Sequence, residues 1–120
     1  MKGRYKAAFI IPTGAKKILG DDGWEFDSKN RLPGYVKDFL VDDLKLSFLE
    51  SYLVYVVYAN ENIKASISHD EEGKIDYVSF QVYGNNMATL SGAFRASLVA
   101  KDAELFVPSD SNIEINDRLE

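Results

Sequence analysis

The stretch of this chain that most constrains its fold runs from Tyr52 to Ala59, because all eight residues are apolar and six are β-branched or aromatic. Such a composition favours a strand over a helix. On one extended strand, Leu53, Tyr55 and Val57 would lie on one face, and Tyr52, Val54, Val56 and Tyr58 on the other. Because both faces would be apolar, the run predicts a central strand that is covered on both sides.

Two further strands are predicted directly after this run. Residues 60–62 have turn chemistry, since asparagine tolerates left-handed backbone angles, and residues 63–67 then alternate between apolar and polar. A second turn at residues 70–74 leads into another alternating segment, residues 75–83. Alternation with a period of two is typical of half-buried strands. Together these segments predict an antiparallel meander.

Apolar residues spaced three and four apart predict two helices, because that spacing places them on one helix face. The stripes comprise Tyr35, Val36, Phe39, Leu40 and Leu44, which follow Pro33, and Met87, Leu90, Phe94 and Leu98. Proline suits the first turn of a helix. We therefore predict an α+β fold, an antiparallel β-meander sheet packed against two helices, in one domain spanning residues 1–120.

The remaining segments predict shorter elements. Strands are expected at residues 5–11, 104–107 and 112–116. Residues 15–19 predict a helical turn. Residues 20–32 show no regular pattern, although Trp24 and Phe26 are expected to anchor them to the core.

Charge and composition disfavour several classes of protein. The net charge of −5 opposes generic binding to nucleic acid or anionic lipid. Cysteine is absent, which excludes disulfides, thiolate metal sites and cysteine nucleophiles. The apolar run at residues 7–11 is shorter than the roughly 7–15 residues of a signal peptide, and no run approaches the roughly 20 residues of a membrane helix. We expect a cytoplasmic protein that binds neither nucleic acid nor membrane.

No motif in the sequence predicts catalysis, a cofactor or a metal site. The only histidine, His69, stands beside Asp70 in a predicted turn, and sequence neighbours on a loop rarely form a catalytic pair. The acidic groups within residues 21–27 and 70–72 do not match the spacing of a calcium-binding loop. Residues 12–17 contain one glycine where a phosphate loop requires two. We expect a protein that is not an enzyme.

The strongest functional signal combines aromatic and acidic side chains. Tyr77 and Tyr83 share the polar face of the last meander strand, and Asp70, Glu71 and Glu72 lie in the turn before it. Tyrosine is enriched at protein interfaces because it buries a large area at little entropic cost. These five residues are therefore predicted to share one exposed surface that contacts a protein partner. Alternatively, the tyrosines simply occupy the edge of the core.

Two segments carry a family resemblance: residues 75–84, IDYVSFQVYG, and residues 103–110, AELFVPSD, followed by Ile113. A predicted helix lies between them and leads into a strand that ends Leu-Phe-x-Pro. From residue 52 onward, this arrangement resembles small bacterial α+β proteins, some of which are immunity proteins that neutralise a toxin. The resemblance implies an inhibitor that binds a protein partner, in its concrete form a basic toxin or nuclease.

Two other classes of function stay open. A small-molecule-binding domain would need a pocket between the sheet and its helices, lined by the second apolar face of residues 52–58. A structural protein would instead close an apolar sheet face by self-association, forming a homodimer.

Overall fold

The computed structural model describes residues 4–108 and confirms the α+β class. The strands are β1 Tyr5–Pro12, β2 Lys16–Gly20, β3 Gly23–Asp27, β4 Ser47–Tyr52, β5 Tyr55–Ala59, β6 Ile63–His69, β7 Ile75–Tyr83 and β8 Ala103–Phe106. Six of them form an antiparallel sheet in the order β4-β5-β6-β7-β1-β8, and β2 pairs with β3 in a separate hairpin. The predicted strand at residues 112–116 lies outside the described residues.

The predicted central strand at residues 52–59 is wrong in two respects. The chain reverses direction at Leu53 and Val54, so that Tyr52 ends β4 and pairs with Tyr55 at the start of β5. β5 is therefore the second strand from the edge of the sheet. The sequence hides this turn because neither residue is a usual turn former, and Leu53 adopts a left-handed φ of +53° that is uncommon for a leucine.

One face of the sheet carries the main core. Along β6 and β7, the alternating apolar residues predicted for this face are buried, and the pairs Ala65–Phe80 and Ile67–Val78 lie side by side. Ala8 and Ile10 of β1 continue the same rows across the sheet. The boundaries of β7 and the faces of β6 and β7 agree with the sequence pattern, because a period of two fixes which side chains share a face, whereas β6 extends two residues beyond the predicted 63–67, to His69.

Two short helices cover this face. The first region comprises α1, Val36–Asp38, continued by a π-helical turn, Phe39–Asp43, and the second is α2, Met87–Ala96. Leu98 was expected on the buried stripe, but it is 63% exposed, because the backbone is extended at Ser97 and the stripe ends there. Val99, in the following 3-10 turn, is buried instead. Among residues 4–108, no helix has the length and apolar character needed to cross a membrane.

The β2–β3 hairpin replaces the predicted helical turn at residues 15–19 and the predicted irregular segment after it. Gly20 pairs with Gly23, which leaves Asp21 and Asp22 as a two-residue turn. Gly23, the first residue of β3, has a φ of +116°, a backbone conformation that glycine adopts more readily than other residues. The helical prediction failed because the segment is too short for its period to be distinguished from that of a strand.

An aromatic cluster joins this hairpin to the second face of the sheet. Phe26 lies 5.0 Å from Phe9 and 5.4 Å from Tyr77, measured between ring centroids. Trp24 contacts Phe106 edge-on at 4.9 Å. The expectation that Trp24 and Phe26 anchor the segment is therefore confirmed, and their partners come from three strands of the sheet.

Replacing Phe26 with alanine should weaken this attachment. A fully buried Phe→Ala change costs about 3–5 kcal/mol, and because Phe26 is only half-buried we expect a loss of about 2 kcal/mol in the free energy of unfolding. Urea denaturation followed by fluorescence of Trp24, the only tryptophan, measures it. Glu25→Ala, an exposed position on the same strand, is the control and should change stability by less than about 0.5 kcal/mol. Equal stability of the two variants would contradict the anchoring role.

Candidate functional site

Asp70, one of the predicted contact residues, organises the β6–β7 turn. Its Oδ1 accepts hydrogen bonds from the backbone N–H groups of Glu72 and Lys74, both at 2.9 Å. Gly73 allows the tight reversal with a φ of +83°. The predicted turn is confirmed, but one oxygen of Asp70 is committed to holding it.

The other carboxylate oxygen of Asp70 forms an ion pair. Arg31 Nε lies 2.9 Å from Asp70 Oδ2 and 3.1 Å from Asp76 Oδ1, so one guanidinium bridges two acids. Leu32 then pairs with Ile75 as an isolated β-bridge, which ties the loop before α1 to the start of β7. The hydrogen bond from Arg31, with those from the turn, holds the pKa of Asp70 below its usual value.

Tyr77 faces the interior of the protein rather than solvent. Its ring packs on Phe26 and Phe9 beneath the β2–β3 hairpin. Burial is the main cause that raises the pKa of its hydroxyl, which also interacts with Ser68 and Tyr55. Ser68 is the one buried polar residue of the described chain, and the hydroxyl of Tyr77 gives it a partner. Tyr77 therefore belongs to the aromatic cluster.

Tyr83 lies at the opposite end of β7, six residues from Tyr77, or about 20 Å along an extended strand. Its ring contacts Tyr5 edge-on at 5.9 Å, and its hydroxyl donates to Gln81 Oε1 at 2.9 Å. Tyr77 and Tyr83 share a face, as predicted, but the structure does not bring them together with the β6–β7 turn. Glu71 and Glu72 are exposed at that turn.

His69 does not interact with Asp70 as a catalytic pair would. Its Nδ1 lies 2.9 Å from the carbonyl oxygen of Val54, and its backbone N–H donates to the same oxygen at 3.0 Å. These contacts fasten the end of the β4–β5 hairpin to β6. Within the described part of the chain, no three histidine, cysteine or acidic side chains are grouped closely enough to hold a metal ion.

A surface that the sequence reading missed surrounds β4. Of the twelve large apolar residues that are exposed among residues 4–108, five fall within a seven-residue stretch. They are Phe48, Leu49, Tyr52, Leu53 and Val54, and we refer to them as the β4 surface. Scattered exposed apolar residues need no explanation, but a concentration of them along one edge of a sheet, here on both of its faces, makes a candidate interaction surface. The signal was hidden because residues 52–54 were assigned to a buried strand.

The sheet–helix interface, where a ligand pocket was suggested, is filled by core side chains. Val56 and Tyr58 point into that core, whereas Tyr52 and Val54, predicted for the same face, are exposed. A cleft of about 210 Å³ opens on the surface between the π-helical turn and the segment after α2. A second cleft, of about 410 Å³, lies between the π-helical turn and α2 and is within the roughly 300–1,000 Å³ of typical small-molecule sites, but no residue of the sheet lines either cleft.

The ion pair at Asp70 predicts a dependence of stability on pH. Since the pKa of Asp70 is lower in the folded protein than in the unfolded chain, its carboxylate stabilises the fold above about pH 4 and loses that effect as the pH falls through the folded value. Asp70→Asn keeps an oxygen for the turn but removes the charge. We expect the variant to be less stable at pH 7 and to approach the wild type once the pH is low enough to protonate Asp70 in the folded protein, as measured by urea denaturation.

Glu71→Gln removes an exposed neighbouring charge that makes no ion pair among the described residues, and it serves as the control. Its stability should follow that of the wild type across the same pH range. A gap between Asp70→Asn and wild type that stays constant with pH would show that the ion pair is not the cause.

No protein-family model, curated protein or solved structure matches this chain. The resemblance to immunity proteins is therefore neither supported nor contradicted by comparison with known proteins, and it stays a prediction. The function has to be argued from the geometry of the chain itself.

Proposed function

We propose that this protein is a protein-binding module and that its partner docks on the β4 surface. The concentration of apolar side chains there carries the proposal. Leu53 is 92% exposed at the tip of the β4–β5 hairpin, and Leu49 and Tyr52 are each more than half exposed. When a partner removes exposed leucine and tyrosine side chains from water, the free energy of the complex falls by about 25 cal/mol per Å² of apolar area buried.

We place the contact at the β4 surface and not at the acidic turn, residues 70–72. Asp70 already pairs with Arg31, so its charge is partly neutralised within the protein. Residues 46–54, in contrast, contain Glu50 as their only charged residue. Depletion of charge at the centre and enrichment in aromatic residues are typical of the core of a protein interface. An inhibitor or immunity role remains our proposed biological setting for such a module.

The conformation of Leu53 supports a role in binding. A left-handed conformation costs an L-residue with a Cβ atom about 1–2 kcal/mol, and glycine or asparagine normally occupies such positions. Leu53 gains no compensating burial within the protein, because its side chain is almost fully exposed. Strain of this kind is characteristic of functional sites, where activity rather than stability determines the residue.

Leu53→Gly should separate folding from binding. Glycine relieves the left-handed strain but adds about 0.5–1 kcal/mol of freedom to the unfolded chain, so we expect a net stabilisation of about 0.5 kcal/mol. Partner binding should nevertheless weaken, because the most exposed side chain of the β4 surface is lost. Urea denaturation and a binding assay on the same preparation measure both effects. A loss of stability above 1 kcal/mol would instead indicate that Leu53 serves folding.

The proposal itself is tested by affinity capture with paired variants. Leu49→Ser/Leu53→Ser removes two side chains of the β4 surface, whereas Leu19→Ser/Leu98→Ser removes two leucines of similar exposure, 62% and 63%, elsewhere. The wild type and the control should retain one stoichiometric partner from lysate of the source organism, and the β4 variant should lose it by at least about tenfold. Because Glu50 is the only charged residue within residues 46–54, capture should persist at about 0.5 M salt.

Comparison of the two double variants shows whether the partner binds at the β4 surface, even though the partner is unidentified. A partner that both double variants retain does not bind at the β4 surface. A partner that neither double variant retains binds to exposed apolar side chains in general and not to one site. Failure of the wild type to retain any protein would remove the proposal, provided that circular dichroism shows all three proteins folded.

A further inference from the structure

The inference that follows rests on the proposed function and concerns how the partner binds. β4 ends the order of the six-stranded sheet, and no strand pairs with its outer side among residues 4–108. An edge strand offers a row of backbone N–H and C=O groups to an incoming strand. Many peptide-binding domains use such an edge, with backbone hydrogen bonds giving affinity and side chains giving specificity.

The two edges of this sheet differ. β8, at the other edge, is four residues long and is soon followed by Pro108. The β2–β3 hairpin also reaches it, through Trp24 on Phe106 and the ion pair of Lys17 with Glu104. Short length, proline and a covering element are the devices by which proteins block an edge.

β4 lacks most of these devices. It is six residues long and contains neither lysine nor proline. Two features still protect it: the charge of Glu50, and a bulge at Leu49, since Phe48 pairs with Tyr58 and Glu50 pairs with the adjacent Val57. A bulge twists an edge but leaves the residues beyond it available for pairing. The sequence 50–52 continues in regular register to the hairpin turn.

The bulge also determines which residues of β4 share a face. Phe48 and Ser51 pair with Tyr58 and Val56, whose side chains pack on the helix side. The remaining regular positions of the strand face the opposite side: Ser47, Glu50 and Tyr52. Glu50 is therefore the central regular position of β4, with two regular positions on either side.

This arrangement discriminates between the possible occupants of the edge. If a second copy paired antiparallel across a two-fold axis over the whole of β4, Phe48 would face Ser51 and Ser47 would face Tyr52, which suits their sizes. Glu50, however, would lie directly opposite Glu50 of the second copy. Like charges that face each other across a strand pair are destabilising, and opposite charges are stabilising.

We infer that the partner adds an extended strand antiparallel to β4, with a basic side chain opposite Glu50. Small side chains of that strand face Phe48 and Tyr52, and its backbone pairs with the outer side of β4. The chain itself supplies a probe for this mode, because Glu50→Lys turns a second copy into a strand with the required charge. Its other side chains keep the size match described above.

The experiment mixes wild type with Glu50→Lys and measures association by sedimentation velocity at about 0.05 and 0.5 M salt. Each protein alone should be monomeric at micromolar concentration. The mixture should form a 1:1 complex at least about tenfold tighter than either self-association, since about 1.4 kcal/mol separates the like and unlike pairs. High salt should reduce this difference in affinity, because it screens the charges. Glu71→Lys, the same change at the exposed β6–β7 turn, is the control and should form no complex with wild type.

Amide hydrogen exchange of the same mixture identifies the contact. Amides of residues 47–52 should exchange more slowly in the complex, and those of β8 should not change. Absence of a complex at millimolar concentration, or a complex without protection of β4, would overturn strand addition. Wild type that self-associates as tightly as the mixture would overturn the opposite-charge partner and make a second copy the occupant.

These outcomes differ from those that test the proposed function. Capture that depends on Leu49 and Leu53, combined with no complex in the mixture, would leave the β4 surface as the docking site and reject only the added strand. A protected 1:1 complex combined with no captured partner would show a competent edge and reject the proposed function.

Discussion

The fold depends on the pairing of β1 with β7, because this contact places the first strand of the described chain in the interior of the sheet. Ala8 and Ile10 of β1 enter the core under the helices, and Phe9 meets the aromatic cluster on the other face. Both the helices and the β2–β3 hairpin therefore pack on a strand that comes before them in the chain. β8 then pairs with the free side of β1, which closes that edge. The contacts that join the two halves of the described chain are consequently long-range, and few follow from local sequence pattern.

This dependence explains which parts of the fold the sequence predicted. The alternation in β6 and β7 is regular, so their faces and the bounds of β7 were predicted correctly, although β6 ends two residues later than predicted. The turn at Leu53 was missed because its backbone conformation contradicts the local preference of leucine, and tertiary contacts such as that of His69 with Val54 hold it. The β2–β3 hairpin was missed because five-residue strands carry too few periods to identify them. Prediction from local propensity therefore failed where contacts with other segments determine the backbone conformation.

The predicted contact residues illustrate a related limit. Asp70, Glu71 and Glu72 are close in sequence and do share a turn, but Arg31, which neutralises Asp70, comes from a loop thirty-nine residues earlier. Tyr77 likewise packs against Phe26, which belongs to a hairpin distant in sequence. Sequence reading identified residues with the chemistry of an interface, but whether that chemistry is free for a partner depends on such distant neighbours. Exposure could be assigned only after the chain was folded.

Stability alone does not account for β4. A polar edge with lysine or proline would protect the sheet against aggregation, and glycine at position 53 would fit the turn without strain. The chain has a less protected edge at β4 and a strained residue at position 53, while it blocks β8 by several means. Two departures that are adjacent in space and point to the same surface are more informative than either alone, because natural sequences violate local rules mainly at functional sites. These two departures support the proposal that the edge of β4 is kept for contact with a partner.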